Sequence, residues 1–229
     1  LTEREEQTLR STAHAIKSNT QPMCAVFTDI QSSTTLWSCA PERMGPALEL
    51  HNKILRDLLE KYNGYEVKTI GDAFFNVFAR ASDAVRYCRD AQVMLLNADW
   101  GDKTVEAMNE AYTKMVDEDE FYQMNKDGKL FRGLAVRMGI QYGVADIQQV
   151  RGGHFDYVGT TINTAARCEA AGHGGQIIIT EAVLNALKEE DEMKMTEFDP
   201  FSSSEEGNQK NSSNHQVDIM YSDMGAQNL

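Results

Sequence analysis

The sequence predicts an α+β domain of the ferredoxin-like βαββαβ kind with an inserted subdomain, on three observations. Apolar runs of strand length alternate with helical periodicity in the order strand, helix, hairpin, helix, strand. A Gly71-Asp72 pair splits two of those runs, which is the mark of a tight hairpin. Residues 97–132 then interrupt the pattern for longer than an ordinary connection does.

The elements follow in order. Residues 1–21 are polar, with no apolar face beyond Leu9 and Ile16, and read as an arm or linker ahead of a domain spanning 22–229. Residues 23–28 form a buried strand. From Pro41 to Tyr62 the positions Met44, Leu48, Leu55, Leu58 and Tyr62 recur at helical spacing, and Asn63-Gly64 ends that helix. Strands at 65–70 and 73–78 make the hairpin. Ala84, Tyr87, Cys88, Ala91, Met94 and Leu95 mark a second helix. Within 97–132, residues 105–116 have helical character, Asp117 to Glu120 are all acidic, and Asn125 to Gly128 is a turn. The core resumes with strands at 134–142 and 155–158, a helix at 161–170, a glycine-rich loop at 172–175, a strand at 177–180 and a short helix at 181–187. The segment 189–229 is polar and Ser/Asn-rich until 217–221, which adds an edge strand. No internal repeat is present.

Composition narrows the function. A net charge of −13 argues against a nucleic-acid partner, because phosphate backbones need clustered Lys and Arg. Cys24, Cys39, Cys88 and Cys168 lack metal-site or disulfide spacing, and reduced thiols are the simpler reading. His51, His154 and His173 also lack ligand spacing and read as structural. No apolar run approaches the roughly 20 residues that span a bilayer. With Leu1 in place of an initiating Met, the expectation is a piece of a longer chain.

Two carboxylates carry the chemistry. Asp29 closes the first strand and Asp72 sits in the hairpin turn, so the two can meet at one end of a sheet. Hard oxygen ligands of this kind suit Mg²⁺ or Mn²⁺, which usually sit on substrate phosphates. Ser32, Ser33 and Thr34 follow Asp29 at a turn entering a helix, where free backbone N–H groups can cradle a polyphosphate. A helix N-cap for Asp29 and a turn residue for Asp72 are the competing readings of each taken alone.

Four strings, in order, resemble the class III nucleotidyl cyclase catalytic domain over roughly residues 23–187. They are Phe27-Thr28-Asp29-Ile30, Val67 to Ala73, Val136-Arg137-Met138-Gly139-Ile140, and Asp156 to Arg167. The insertion is similar to that of trypanosomatid receptor-type adenylate cyclases. The resemblance implies the class III cyclase fold and conversion of ATP to cyclic AMP and pyrophosphate, by in-line attack of the ribose 3′-hydroxyl on the α-phosphate with two Mg²⁺ or Mn²⁺ ions per site.

It also assigns roles. Asp29, Asp72 and the Ile30 carbonyl would hold the metals. Lys68 and Asp156 would read adenine, Lys68 donating to N1 and Asp156 accepting from the 6-amino group. Guanylate cyclases of this family carry Glu and Cys there. Asn163 would orient the ribose and Arg167 would stabilise charge at the α-phosphate. Arg137 would reach the terminal phosphates, although pairing of a strand Arg with a carboxylate competes with that reading. The family's late Lys on a hairpin has no recognisable counterpart, with Lys194 and Lys210 as possible substitutes.

Metal and purine residues of one site come from different subunits in this family, so a homodimer with two composite sites is implied. The parent is implied to be a single-pass surface receptor, tethered by parts outside this chain, with the catalytic domain in the cytoplasm. Two other readings stand beside the adenylate cyclase: a catalytically silent nucleotide-binding regulatory module, and a guanylate cyclase, which Lys68 and Asp156 disfavour.

Overall fold

A computed structural model describes residues 12–115, 132–150, 152–190, 193–197 and 217–221. Its centre is a five-stranded sheet in the order β2-β3-β1-β4-β7, made by β1 (Met23–Ile30), β2 (Tyr65–Ile70), β3 (Ala73–Phe78), β4 (Val136–Gly143) and β7 (Ile177–Ile179). The first four strands pair antiparallel and β7 joins β4 in parallel. Strand pairs with intervening helices and this neighbour order constitute the split βαβ arrangement.

Strand β1 is central because it is buried on both faces. Cys24, Val26 and Ile30 face one apolar cluster, and Met23 and Ala25 face the other. The first cluster is roofed by α2 (Pro41–Lys61) and α3 (Ala81–Asn97), with α6 (Glu181–Glu190) adding Val183, Ala186 and Leu187. Pro41 sits at the first turn of α2, where its missing N–H costs nothing. Beyond α2, Asn63 takes a left-handed φ of 53° and Gly64 N donates to Leu59 O at 2.8 Å, which closes the helix. The short α1 (Ser33–Cys39) links β1 to α2. Helix α3 has no cap of its own, and the Glu190 carboxylate supplies one by accepting from Ala81 N at 2.7 Å and Ser82 N at 3.0 Å.

The other face is covered by α5 (Thr160–Ala171), through Ile162 and Ala165, and by the chain preceding β1. Residues 12–21 lack regular structure, but they are not a free arm. Ile16 is buried in the second cluster, and its carbonyl accepts from the Tyr157 hydroxyl at 3.0 Å. One apolar residue in a polar segment gave too little periodicity to show this.

Within the inserted stretch, the described residues 97–115 belong to the main core. Its helix α4 (Asp102–Met115) sends Met108, Ala111 and Tyr112 into the first cluster beside Trp100, and Ala135 N donates to the Tyr112 hydroxyl at 3.0 Å. The acidic run and the turn expected at 125–128 lie outside the described residues. Two strands were not expected. Strand β5 (Asp146–Gln149) pairs antiparallel with β6 (Phe155–Val158), and β8 (Met193–Glu197) pairs in parallel with β9 (Val217–Tyr221). The 217–221 strand therefore joins β8 in a separate two-stranded sheet instead of extending the main edge.

Helix α5 approaches β4 very closely at Gly139. A Cβ there would lie 2.1 Å from Glu169 N and 2.6 Å from Ala165 O, both backbone atoms that cannot give way. Gly139→Ala is expected to cost about 3 kcal/mol or more, at the upper end of overpacking penalties, measured as the urea unfolding midpoint against wild type.

His51 is fully buried on α2, edge-on to Phe74, with Nδ1 2.9 Å from Asn52 Oδ1. Burial pushes its imidazole down to about 4, against the Asn52 hydrogen bond that pulls it up. The unfolded chain protonates near 6.5 and the folded one does not, so stability is complete above that pH and is lost as pH falls toward 4. Relative to His51→Gln, wild type should lose roughly 1.4 kcal/mol per pH unit across that window, read from urea midpoints at stepped pH.

Candidate active site

The site is built along the end of the sheet where β1 finishes and the β2–β3 hairpin turns. Gly71 adopts φ 64°, which leaves Asp72 as the second residue of a two-residue connection between Ile70 and Ala73. Strands β1 and β3 pair as far as Thr28 opposite Phe74. Continuing that antiparallel register sets the turn beside the last residues of β1. The fold thus carries Asp29 and Asp72, 43 apart in sequence, to neighbouring strand ends.

Asp72 Oδ2 is buried and has no hydrogen-bond partner. A buried carboxylate oxygen without a donor is costly unless a cation or proton meets it. Asp29 shares its environment with a cation already: Arg137, directly across the β1–β4 ladder, donates from Nη2 to Asp29 Oδ2 at 2.7 Å. Arg137 Nε lies 2.6 Å from Glu169 Oε1 on α5. The N–H points off that line, leaving a charge contact without a directed hydrogen bond. Of the two readings of Arg137, carboxylate pairing is the one present within the chain. Burial pushes the Glu169 carboxyl up to about 7; Arg137 pulls it down and Asp29 adds to the rise. Glu169 was missed in the sequence, although a carboxylate two positions beyond Arg167 on the same helix was visible there.

The two aspartate carboxylates and the Ile30 carbonyl are all hard oxygen donors, the chemistry that fits a divalent cation completed by phosphate or water oxygens. Among the described residues no group of three or more His, Cys, Asp and Glu side chains is placed to hold a metal by itself. Ser32 takes a left-handed φ of 56° before α1, and its carbonyl accepts from Thr35 N and Leu36 N at 3.0 and 3.1 Å. Ser33 and Thr34 occupy the first positions of that seven-residue helix.

The second half of the site lies on the α5 side of the sheet. Lys68 Nζ donates to both oxygens of Asp156, at 3.0 and 2.9 Å, joining residues 88 apart. A bulge in β2 makes this contact possible. Glu66 pairs with Asn76 and Lys68 with Phe75, so Val67 is extra and Lys68 is turned to the face that carries Phe75. There its Nζ sits 5.8 Å from the Phe75 ring centre, and Phe75 stacks on Phe27 at 4.5 Å. Asp156 is fixed in turn by Tyr157 N, which donates to its Oδ1 at 2.9 Å.

Asn163 and Arg167 sit one helical turn apart on α5 and are exposed, whereas Thr161, Ile162, Ala165 and Cys168 face the protein. The structure therefore does not bring Asn163 and Arg167 onto Asp29 of the same chain. Lys194 lies on β8 with Asp218 as its register partner, and Lys210 is outside the described residues. No helix among the described residues is long and apolar enough to cross a membrane.

Comparison with known proteins gives the same picture. The family of adenylate and guanylate cyclase catalytic domains matches residues 16–217. Receptor-type adenylate cyclase B of Leishmania donovani is 39% identical over 195 residues, which is 80% of this chain and 14% of that protein. A receptor-type adenylate cyclase of Trypanosoma congolense is 41% identical over 191 residues, 78% of this chain and 25% of its own. This chain thus spans only a small part of the length of these relatives. Among solved structures, an adenylate cyclase of Trypanosoma brucei in its monomeric state superposes with a TM-score of 0.68 at 33% identity, covering 76% of this chain and 79% of that one. A dimeric guanylyl cyclase domain from Blastocladiella emersonii, at 21% identity and a TM-score of 0.53, shares the fold.

Proposed function

The chain belongs to the family of adenylate and guanylate cyclase catalytic domains, and we propose that it converts ATP to 3′,5′-cyclic AMP and pyrophosphate as a homodimer with two composite sites. The observation that carries the choice of ATP is the meeting of Lys68 and Asp156 across 88 residues of sequence. A Lys donor and a carboxylate acceptor side by side match adenine N1 and its 6-amino group. Guanine presents the opposite donor–acceptor order and would leave both protein groups unpaired, a mismatch that discriminates strongly.

In this reading Asp29, Asp72 and the Ile30 carbonyl hold divalent cations, Mg²⁺ or Mn²⁺, two per site. Such ions would supply acidity to the ribose 3′-hydroxyl and neutralising charge to the triphosphate. The protein's own groups do the remainder. Lys68 and Asp156 fix the base, and Asn163 holds the ribose so that its 3′-oxygen faces the α-phosphorus in line. The new bond forms from that oxygen to phosphorus, with its proton passing to solvent water, as the bond to the pyrophosphate oxygen breaks. Arg167 stabilises the charge that develops meanwhile on the α-phosphate oxygens. Arg137, and the backbone N–H groups of Ser32, Ser33 and Thr34, serve the β- and γ-phosphates.

The dimer is supported by where these groups point. Asn163 and Arg167 are displayed outward from α5, whereas Asp29 lies beneath that helix against Arg137. A second copy that presents its own α5 to the Asp29–Asp72 end of this one completes a site, and by symmetry completes two. The receptor-type relatives support a membrane-receptor parent; in this reading the relative placement of two such domains would be what that parent regulates.

Activity from ATP and from GTP, with Mg²⁺ and with Mn²⁺, tests the reading, with cyclic AMP from ATP expected. Asp72→Ala and Arg167→Ala should each abolish it. Mixing the two inactive proteins should restore about a quarter of wild-type activity, because half the dimers are mixed and each has one intact site. No recovery on mixing would rule out composite sites. The double substitution K68E/D156C should shift the kcat/KM preference from ATP toward GTP by on the order of a hundredfold or more. An unchanged preference would remove these residues from base recognition. ATP binding without product would leave the regulatory module.

A further inference from the structure

Arg137 has two carboxylate neighbours and one positive charge. Its Nη2 rests on Asp29 Oδ2 at 2.7 Å, and its Nε rests on Glu169 Oε1 at 2.6 Å. All three side chains are largely covered, with exposures of 25% for Arg137, 24% for Asp29 and 13% for Glu169. A charge contact in such surroundings is screened less than one at the surface.

The two contacts are not equivalent in the proposed reaction, on which this argument rests. Asp29 Oδ2 is one of the oxygens a cation needs, so Arg137 competes for it. Glu169 belongs to α5, which Gly139 allows to press directly onto β4. Its main chain is therefore fixed against the strand that carries Arg137. Loss of the Glu169 charge would leave Asp29 as the only carboxylate partner of Arg137 and strengthen the competition.

We infer that Glu169 is a positioning residue that anchors Arg137 by its Nε edge, so that the guanidinium can leave Asp29 to the cation and turn its outer nitrogens to the terminal phosphates. The geometry suits a planar fork held at one edge by a close charge contact and free to present its outer nitrogens, as bidentate phosphate recognition by Arg requires. The rise of the Glu169 carboxyl toward about 7, from burial first and Asp29 next, is the mark of a carboxylate kept in a covered place next to another one.

The test uses the full chain at pH 8, where Glu169 is ionised. Mn²⁺ is titrated in the presence of α,β-methylene-ATP and followed by electron paramagnetic resonance, and steady-state kinetics are measured with ATP. Glu169→Gln should weaken Mn²⁺ binding and raise the KM for ATP by about tenfold each, while kcat changes several-fold less, and Glu169→Asp should restore most of both. Unchanged Mn²⁺ and ATP constants overturn the inference. So does a fall in kcat alone, which is what a merely structural role gives. Thermal melting checks the fold. If Glu169→Gln melts below assay temperature, Glu169→Asp decides: a Mn²⁺ constant between that of wild type and tenfold weaker supports the inference, and the wild-type value overturns it. A wild type that makes no cyclic AMP, yet binds Mn²⁺ more tightly than Glu169→Gln, would sink the proposed reaction and leave the anchoring role standing. An active wild type matched in every constant by the variant would do the reverse.

Discussion

The contact between α5 and β4 is the constraint on which the site rests. A helix normally keeps its backbone clear of a sheet by the thickness of two side-chain layers. Here the strand has no side chain at position 139, and the helix main chain fills the space. Because α5 is locked at that point, its 3.6-residue period determines everything further along it. Ala165 and Cys168 are driven inward, Glu169 is carried to Arg137, and Asn163 and Arg167 are turned outward. One close approach thus produces both an inward-facing partner for Arg137 and an outward-facing pair, the one at the proposed metal end and the other for the proposed second copy.

Charge is handled by pairing. The chain carries 35 acidic and 22 basic side chains, so cations are the scarce resource. Lys68 is committed to Asp156, and Arg137 is divided between Asp29 and Glu169. Partly buried pairs like these roughly break even against their desolvation, and what they confer is orientation. In the proposed function, a nucleotide entering such a site would exchange existing ionic partners for new ones. Its net binding energy is then modest, and discrimination between bases rests on how well the exchange is matched.

Much of this was legible in the residues. The β2–β3 hairpin and its Gly71-Asp72 turn stand where the glycine and the two apolar runs place them, and α2 and α3 follow their periodic apolar faces, because each is specified by local chemistry. The four motif strings led to Asp29, Asp72, Lys68 and Asp156 before any contact among them was known. What escaped is non-local. The docking of Ile16 depends on a hydroxyl 141 residues away. The role of α4 as part of the main core depends on Trp100 and Tyr112 finding a surface that the sequence of the insertion does not describe. Strand β5 has a sparse, mostly exposed pattern and is defined by its partner β6. Glu169 gives no signal of its own, since its surroundings are set by a helix packing distance.

The bulge at Val67 has a consequence for how such a domain can change. In a strand, the side of the sheet to which a residue belongs is a matter of odd and even count. Glu66 and Lys68 would share a face in a regular strand, yet Glu66 bonds to Arg56 of α2 on one side while Lys68 meets Asp156 on the other. A single extra residue reverses the parity exactly once, between them. Deleting Val67 would bring Lys68 directly after Glu66 and leave it opposite Phe75, because that register is counted from the Gly71-Asp72 turn. Keeping Val67 but losing the bulge would instead pair Val67 with Asn76 and turn Glu66 to the Lys68 side, away from Arg56. The side on which Lys68 stands is thus tied to the turn that carries Asp72, and the strand ahead of the bulge could change in length without disturbing either.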